Sequence, residues 1–109
     1  MSQNRYMNCI IACYRCAAAC DHCSVACLSE EDPSAMSDCI RADMDCAQIC
    51  RLAAAAMARN SDFVSSIWRL CAEICDTCAS ICEKYEHDHC QDCAKACRSC
   101  ADECATMAG

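Results

Sequence analysis

Small apolar positions recur along this chain in steps that alternate between four and three. Cys9, Cys13, Cys16, Cys20, Cys23 and Cys27 form the first series. That alternation keeps every member on one face of an α-helix, in the manner of a heptad seam. Cys90, Cys93, Cys97, Cys100 and Cys104 form the last series, which Met107 continues. Cys71, Cys75, Cys78 and Cys82 form the third, with Val64 and Trp68 in register upstream. The second holds Cys39, Cys46 and Cys50. Asp43 fills its missing step, and Ala53 and Met57 extend it.

Helix breaks fall between the series. Asp32 and Pro33 read as an N-cap and a first helical position, after a polar loop from Ser29. Asn60-Ser61-Asp62 separates the second series from the third, with Ser61 as a cap, and residues 85–88 separate the third from the fourth. The pattern predicts helices over 4–28, 33–58, 62–84 and 88–107. Short connections make neighbours antiparallel, so the predicted fold is all-α: an antiparallel up-down-up-down four-helix bundle with a cysteine-lined core. Stacking the seams gives six layers. The first holds Cys27, Cys39, Cys82 and Cys90, and the second Cys23, Asp43, Cys78 and Cys93. Then come Cys20, Cys46, Cys75 and Cys97, and after them Cys16, Cys50, Cys71 and Cys100. Cys13, Ala53, Trp68 and Cys104 make the fifth, and Cys9, Met57, Val64 and Met107 the sixth. The last two layers, with Phe63, read as a hydrophobic plug, and the opposite end is all thiol.

Composition sharpens this picture. The chain has 109 residues, the size of a single domain spanning 1–109, and eighteen are cysteine. Gly and Pro occur once each, too few for a loop-rich disulfide scaffold. The net charge of −7 disfavours nucleic acid as a partner. No stretch is apolar for long enough to cross a membrane, and no apolar leader precedes Cys9, so a cytoplasmic protein with reduced thiols is expected.

The spacing then selects the chemistry. Partners at Cys-x-x-x-Cys spacing have Cβ atoms about 5–6 Å apart, whereas a disulfide needs about 3.5–4.5 Å. The wider gap suits a metal bridging two sulfurs. Copper(I) is soft and accepts two or three sulfurs, and shared sulfurs allow on the order of one ion per cysteine. One monovalent ion per thiolate leaves the core close to neutral, whereas zinc in four-sulfur sites leaves residual negative charge. Iron–sulfur motifs on loops are lacking. All eighteen cysteines are therefore candidate ligands for multiple Cu(I) ions.

The runs Cys-Ala-Ala-Ala-Cys-Asp-His-Cys-Ser-Val-Ala-Cys over 16–27 and His-Cys-Gln-Asp-Cys-Ala-Lys-Ala-Cys-Arg-Ser-Cys-Ala-Asp-Glu-Cys over 89–104 resemble the bacterial four-helix-bundle copper storage proteins, of the cytosolic type. The resemblance covers nearly the whole chain. It implies copper(I) storage and buffering, protection against copper toxicity, possible supply of copper enzymes and assembly into homotetramers. It also implies uptake at one mouth, helped by non-cysteine ligands. The layers put Asp43, His87, His89 and Met36 at or near the thiol-rich end. Asp43 reads as a mouth ligand or as the partner of a nearby arginine. His87 and His89 read as ligands or as loop residues, and Met36 as a ligand or as packing. His22 is expected to face solvent, and Arg41, Arg51, Lys95 and Arg98 a solvated face or subunit contacts. No nucleophile–base pair or phosphate loop is visible, so an enzyme is not expected. The rival reading is a zinc- or cadmium-detoxifying protein of metallothionein-like role.

Overall fold

A computed structural model describes residues 2–109, with side chains from Arg5 onward. Helix α1 spans Ser2–Leu28, α2 Ser37–Arg59, α3 Val64–Cys82 and α4 Asp88–Ala108. A single 3-10 turn, Pro33–Met36, leads into α2. The helices run up and down in a rod of 48 × 20 × 19 Å. All eighteen cysteines face inward, none more than 2 % exposed.

The breaks lie near their predicted places, with local differences. Proline takes the first position of the 3-10 turn as expected, but the Asp32 side chain caps no backbone N–H. It accepts instead from the Ser34 hydroxyl at 2.7 Å. Asn60 ends α2 in the left-handed conformation, with φ 55° and ψ 51°, a backbone that asparagine tolerates. Ser61 does act at the next turn, where its hydroxyl accepts from the Phe63 N–H at 3.1 Å. Helix α3 starts two residues later and ends two residues earlier than the pattern suggests, because tight turns occupy both flanks.

Alanine lets these helices approach closely. Ala17, Ala47, Ala53, Ala54, Ala56, Ala79, Ala94 and Ala101 are buried between helices, so they pack the bundle rather than its outer face. The plug at the far end differs from expectation in two residues. Phe63 is 72 % exposed and takes no part. Its place is taken by Tyr6, which packs edge-on against Trp68 with ring centroids 5.6 Å apart. Arg5 reaches over the Tyr6 ring and donates to its hydroxyl at 2.7 Å. Met57 and Ala53 complete the buried plug. Tyr6→Leu should lower stability by about 1 kcal/mol through loss of the aromatic pair. Thermal unfolding of the copper-free protein measures this, and copper capacity should stay unchanged because no sulfur moves.

Candidate metal centre

Each seam residue points into the bundle because the 4–3 spacing tracks the helical repeat, and the four seams meet on the axis. Sulfurs from different helices lie 3.4–3.9 Å apart at Cys39–Cys82, Cys46–Cys75, Cys46–Cys97, Cys50–Cys100 and Cys39–Cys90. Cys50 and Cys71 are 4.0 Å apart. These pairs match the layers of α2, α3 and α4 read from the sequence.

Helix α1 departs from the layers in a regular way. Cys23 meets Cys39 and Cys90 of the first layer, at 3.8 and 3.9 Å. Cys20 touches Cys93 as well as Cys97, each at 3.7 Å. Cys16 sits 3.6 Å from Cys46 and 3.7 Å from Cys97. Cys13 lies 3.6 Å from Cys100 and 3.9 Å from Cys104, and Cys9 3.7 Å from Cys104. The whole helix is shifted about half a layer, roughly 2.5 Å, toward the thiol-rich end. Knobs-into-holes packing produces such an offset, because side chains of one helix fill gaps on the others. The consequence is chemical: separate squares of sulfur merge into one interdigitated column.

Within helices, sulfurs four residues apart stand at 3.8–4.0 Å, as in Cys23–Cys27, Cys71–Cys75, Cys78–Cys82 and Cys93–Cys97. All eighteen thiols are free. At a metal–sulfur bond near 2.3 Å, one ion spans two sulfurs up to about 4.6 Å apart. The observed gaps therefore admit a soft ion with little movement. Groups of four buried sulfurs within mutual reach recur along the axis, among them Cys13, Cys71, Cys100 and Cys104, and Cys20, Cys78, Cys93 and Cys97. Burial pushes the Cys27 thiol up to about 11 and raises Cys90 as well, so both keep their protons at neutral pH.

Asp43 is fully buried. Cys78, Cys82 and Cys93 donate to its Oδ1 at 3.4, 3.5 and 3.3 Å, and Cys39 to its Oδ2 at 3.8 Å. Its partners are thiols, not the arginine that the sequence left open. Burial pushes its carboxyl up to about 9, so it is neutral at pH 7.

His89 lies at the rim of the thiol-rich end. Its Nδ1 stands 3.5 Å from Cys23 Sγ, 3.5 Å from Cys90 Sγ and 4.0 Å from Cys27 Sγ. Burial opposes its charged form, but Cys23 and Glu30 outweigh that and hold its pKa above the ordinary range. His87 stacks on His89 with ring planes 5° apart and faces Glu30, so it sits one step outside the sulfurs. Met36 is buried at the end of the 3-10 turn, one helical turn before Cys39. His22 is exposed, as expected. Arg51 pairs with Asp21 across α1 and α2, and Arg98 forks onto Glu83 and reaches Asp76. Sequence reading missed Glu30, which touches both histidines at the rim. Its loop position carried no periodic signal.

A family model described as copper storage protein matches residues 2–109. The chain is 51% identical over 100 residues to an uncharacterized cysteine-rich protein, YhjQ, of Bacillus subtilis (strain 168), spanning 92% of this chain and 93% of that one. It is 49% identical to the Cu(I)-bound copper storage protein BsCsp3 from Bacillus subtilis, with a TM-score of 0.92 and coverage of 95% of this chain and 98% of that one. A cytosolic copper storage protein from Streptomyces lividans, loaded with five coppers, is 37% identical with a TM-score of 0.93, covering 98% and 94%.

Proposed function

The chain belongs to the copper storage protein family, and from that premise we propose that it takes up copper(I) at the thiol-rich mouth and passes the ions from sulfur to sulfur along the bundle axis. The protein stores copper(I), several ions to a chain, on the thiolates of its core. The observation that carries this reading is the column itself: eighteen buried, free thiols, each within 3.4–4.0 Å of another, with Asp43 and a Cys20–Cys78–Cys93–Cys97 group within 4.8 Å joining the mouth sulfurs to the rest.

The ligand set consists of the eighteen cysteines, with Asp43 and His89 as the oxygen and nitrogen donors nearest the mouth. His87 acts outside His89, where an arriving ion first meets the protein. Residues 1–109 act as a single copper-binding domain. The protein works in the cytosol, as the Streptomyces relative is described as doing. It assembles as a homotetramer, by resemblance to its family. Among the described residues no helix is long and apolar enough to cross a membrane. The role is storage and buffering of copper, with protection against its toxicity, and not catalysis.

Copper(I) binds the thiolate, so a thiol that is protonated, as burial keeps Cys27 and Cys90 at the mouth, gives up its proton to the ion. Anaerobic titration of the reduced protein with Cu(I) should therefore saturate at on the order of one ion per cysteine and release about one proton per ion into weak buffer. Zinc should bind fewer ions and be displaced by Cu(I). Saturation at one or two coppers, or zinc that resists Cu(I), would overturn the storage reading.

A further inference from the structure

Glu30 stands in the connection after α1, and His89 opens α4, yet the two meet at the mouth. Glu30 Oε2 accepts from His89 Nε2 at 2.6 Å. The same oxygen lies 3.4 Å from His87 Nδ1. A carboxylate only accepts, so this contact places a proton on Nε2 of His89. In the neutral ring Nδ1 then carries the lone pair, and Nδ1 is the atom aimed at Cys23, Cys27 and Cys90.

The support around this contact is firm. The His89 side chain is 13% exposed, so it has little room to turn. His87 stacks on its outer side, with centroids 5.4 Å apart. Gln91 donates to the carbonyls of Tyr85 and Glu83, at 2.6 and 3.2 Å, and fixes the loop that carries His87. The Tyr85 hydroxyl donates to the Ala35 carbonyl at 3.1 Å and ties that loop to the turn before α2. A carboxylate behind an imidazole is the usual means of orienting a metal-binding histidine and fixing its tautomer.

Building on the storage reading, we propose that Glu30 is a positioning residue for copper uptake: it locks His89 so that Nδ1 presents its lone pair among Cys23, Cys27 and Cys90, where an ion leaves solvent for the sulfur column. Glu30 does not itself bind the ion. Its effect falls on the rate of uptake and not on the number of ions held, which the buried thiols set.

Stopped-flow mixing of the reduced chain with the Cu(I)–acetonitrile complex, followed by thiolate–copper absorbance, reads that rate. Glu30→Ala should slow the first phase about tenfold or more. Helix content and final capacity should remain within one ion of the parent. Glu30→Gln keeps an acceptor for Nε2–H and should recover most of the rate. His89→Ala should be slow by itself, and adding Glu30→Ala to it should slow uptake no further. Parental rates in Glu30→Ala overturn the proposal. So does an equal further loss in the His89→Ala background, which would mean that Glu30 acts by its charge or by holding the loops. Failure of the parent chain to bind several ions would instead overturn the storage reading.

Discussion

Replacing Cys20, Cys46, Cys75 and Cys97 together with alanine is expected to halve rapid copper uptake or worse, although fourteen of eighteen thiols remain. These four residues form the middle of the column. Seven cysteines lie on the mouth side of them and seven on the plug side. In the native chain Cys16 reaches Cys93 on the mouth side through Cys97, and Cys50 reaches Cys97 through Cys75 and Cys46. Without those sulfurs the nearest remaining pair across the gap, Cys16 and Cys93, stands roughly 7–8 Å apart over alanine-lined core, about one and a half layers of rise and too far for one ion to span. An ion that moves by exchanging one sulfur for the next has nowhere to step. Fast loading should stop near the seven mouth-side thiols, with a slow phase afterwards. The comparison variant removes Cys9, Cys13, Cys71 and Cys104, which keeps the number of lost thiols equal and takes them from the plug end. It should lose only about four ions and load in one phase. Each truncation of a buried thiol should cost about 1 kcal/mol, so circular dichroism at low temperature must show both variants folded. If the two variants match in capacity and kinetics, uptake does not depend on continuity of the column.

The second large effect concerns the copper-free protein and its dependence on pH. Asp43 titrates at about 9 in the folded chain, chiefly through burial, against an ordinary value of 3.8. Between those two values the unfolded chain gives up a proton that the folded chain keeps. Stability therefore falls as pH rises from about 4 to about 9. At 1.36 kcal/mol per pH unit, the loss at pH 7 approaches about 4 kcal/mol. Asn has a similar shape and no proton to lose. Asp43→Asn should stabilise the copper-free chain by about 2–4 kcal/mol at pH 7, the lower figure allowing for an amide that must find partners among thiols. The gain should shrink toward zero near pH 4. Denaturant unfolding of both proteins under reducing, metal-free conditions at pH 4.5 and pH 8 measures it. An equal difference at the two pH values would show that the carboxyl is not held neutral by the core.

A buried carboxyl that weakens the empty protein makes sense beside the thiols. Asp43 occupies the α2 position of the second layer, where a cysteine would otherwise continue the seam, and four thiols donate to it. The empty core is thus a set of mutually hydrogen-bonded sulfurs around one neutral carboxyl, with little bulk from large apolar side chains. Its stability rests on alanine-mediated helix contacts and on the plug around Tyr6, Met57 and Trp68. Filling the column replaces weak sulfur contacts with metal–sulfur bonds, and binding to the folded state alone adds to stability.

Most of the architecture was legible in the cysteine spacing. The series from Cys9 to Cys27 and from Cys90 to Cys104 define helical faces without help from any other residue, because side-chain direction repeats with the backbone geometry. The single proline and the polar stretches at Ser29–Asp32 and Asn60–Asp62 punctuate them. Once four seams and short connections are given, the inward column follows, and so do the Cys39–Cys82–Cys90, Cys46–Cys75–Cys97 and Cys50–Cys71–Cys100 levels of α2, α3 and α4. The soft-metal chemistry follows too, since thiols four residues apart sit too wide for a disulfide and suitably for a bridged ion. Phe63 was misplaced because helix boundaries are the least periodic part of the pattern, and a shift of two residues at the start of α3 leaves the ring in solvent. Tyr6 stands three residues before Cys9 and continues the 4–3 alternation, a signal that a series read by its cysteines alone passes over.

What the sequence determined by itself is which residues share a face, because helical periodicity is a local property and each turn enforces it independently. Two matters belonged to the tertiary structure. One is the half-layer offset of α1, which turns stacked squares into a continuous path; axial position depends on how knobs of all four helices settle into one another's gaps. The other is the meeting of Glu30 with His89, 59 residues apart, since the approach of two irregular connections is fixed only when the bundle has brought its ends together.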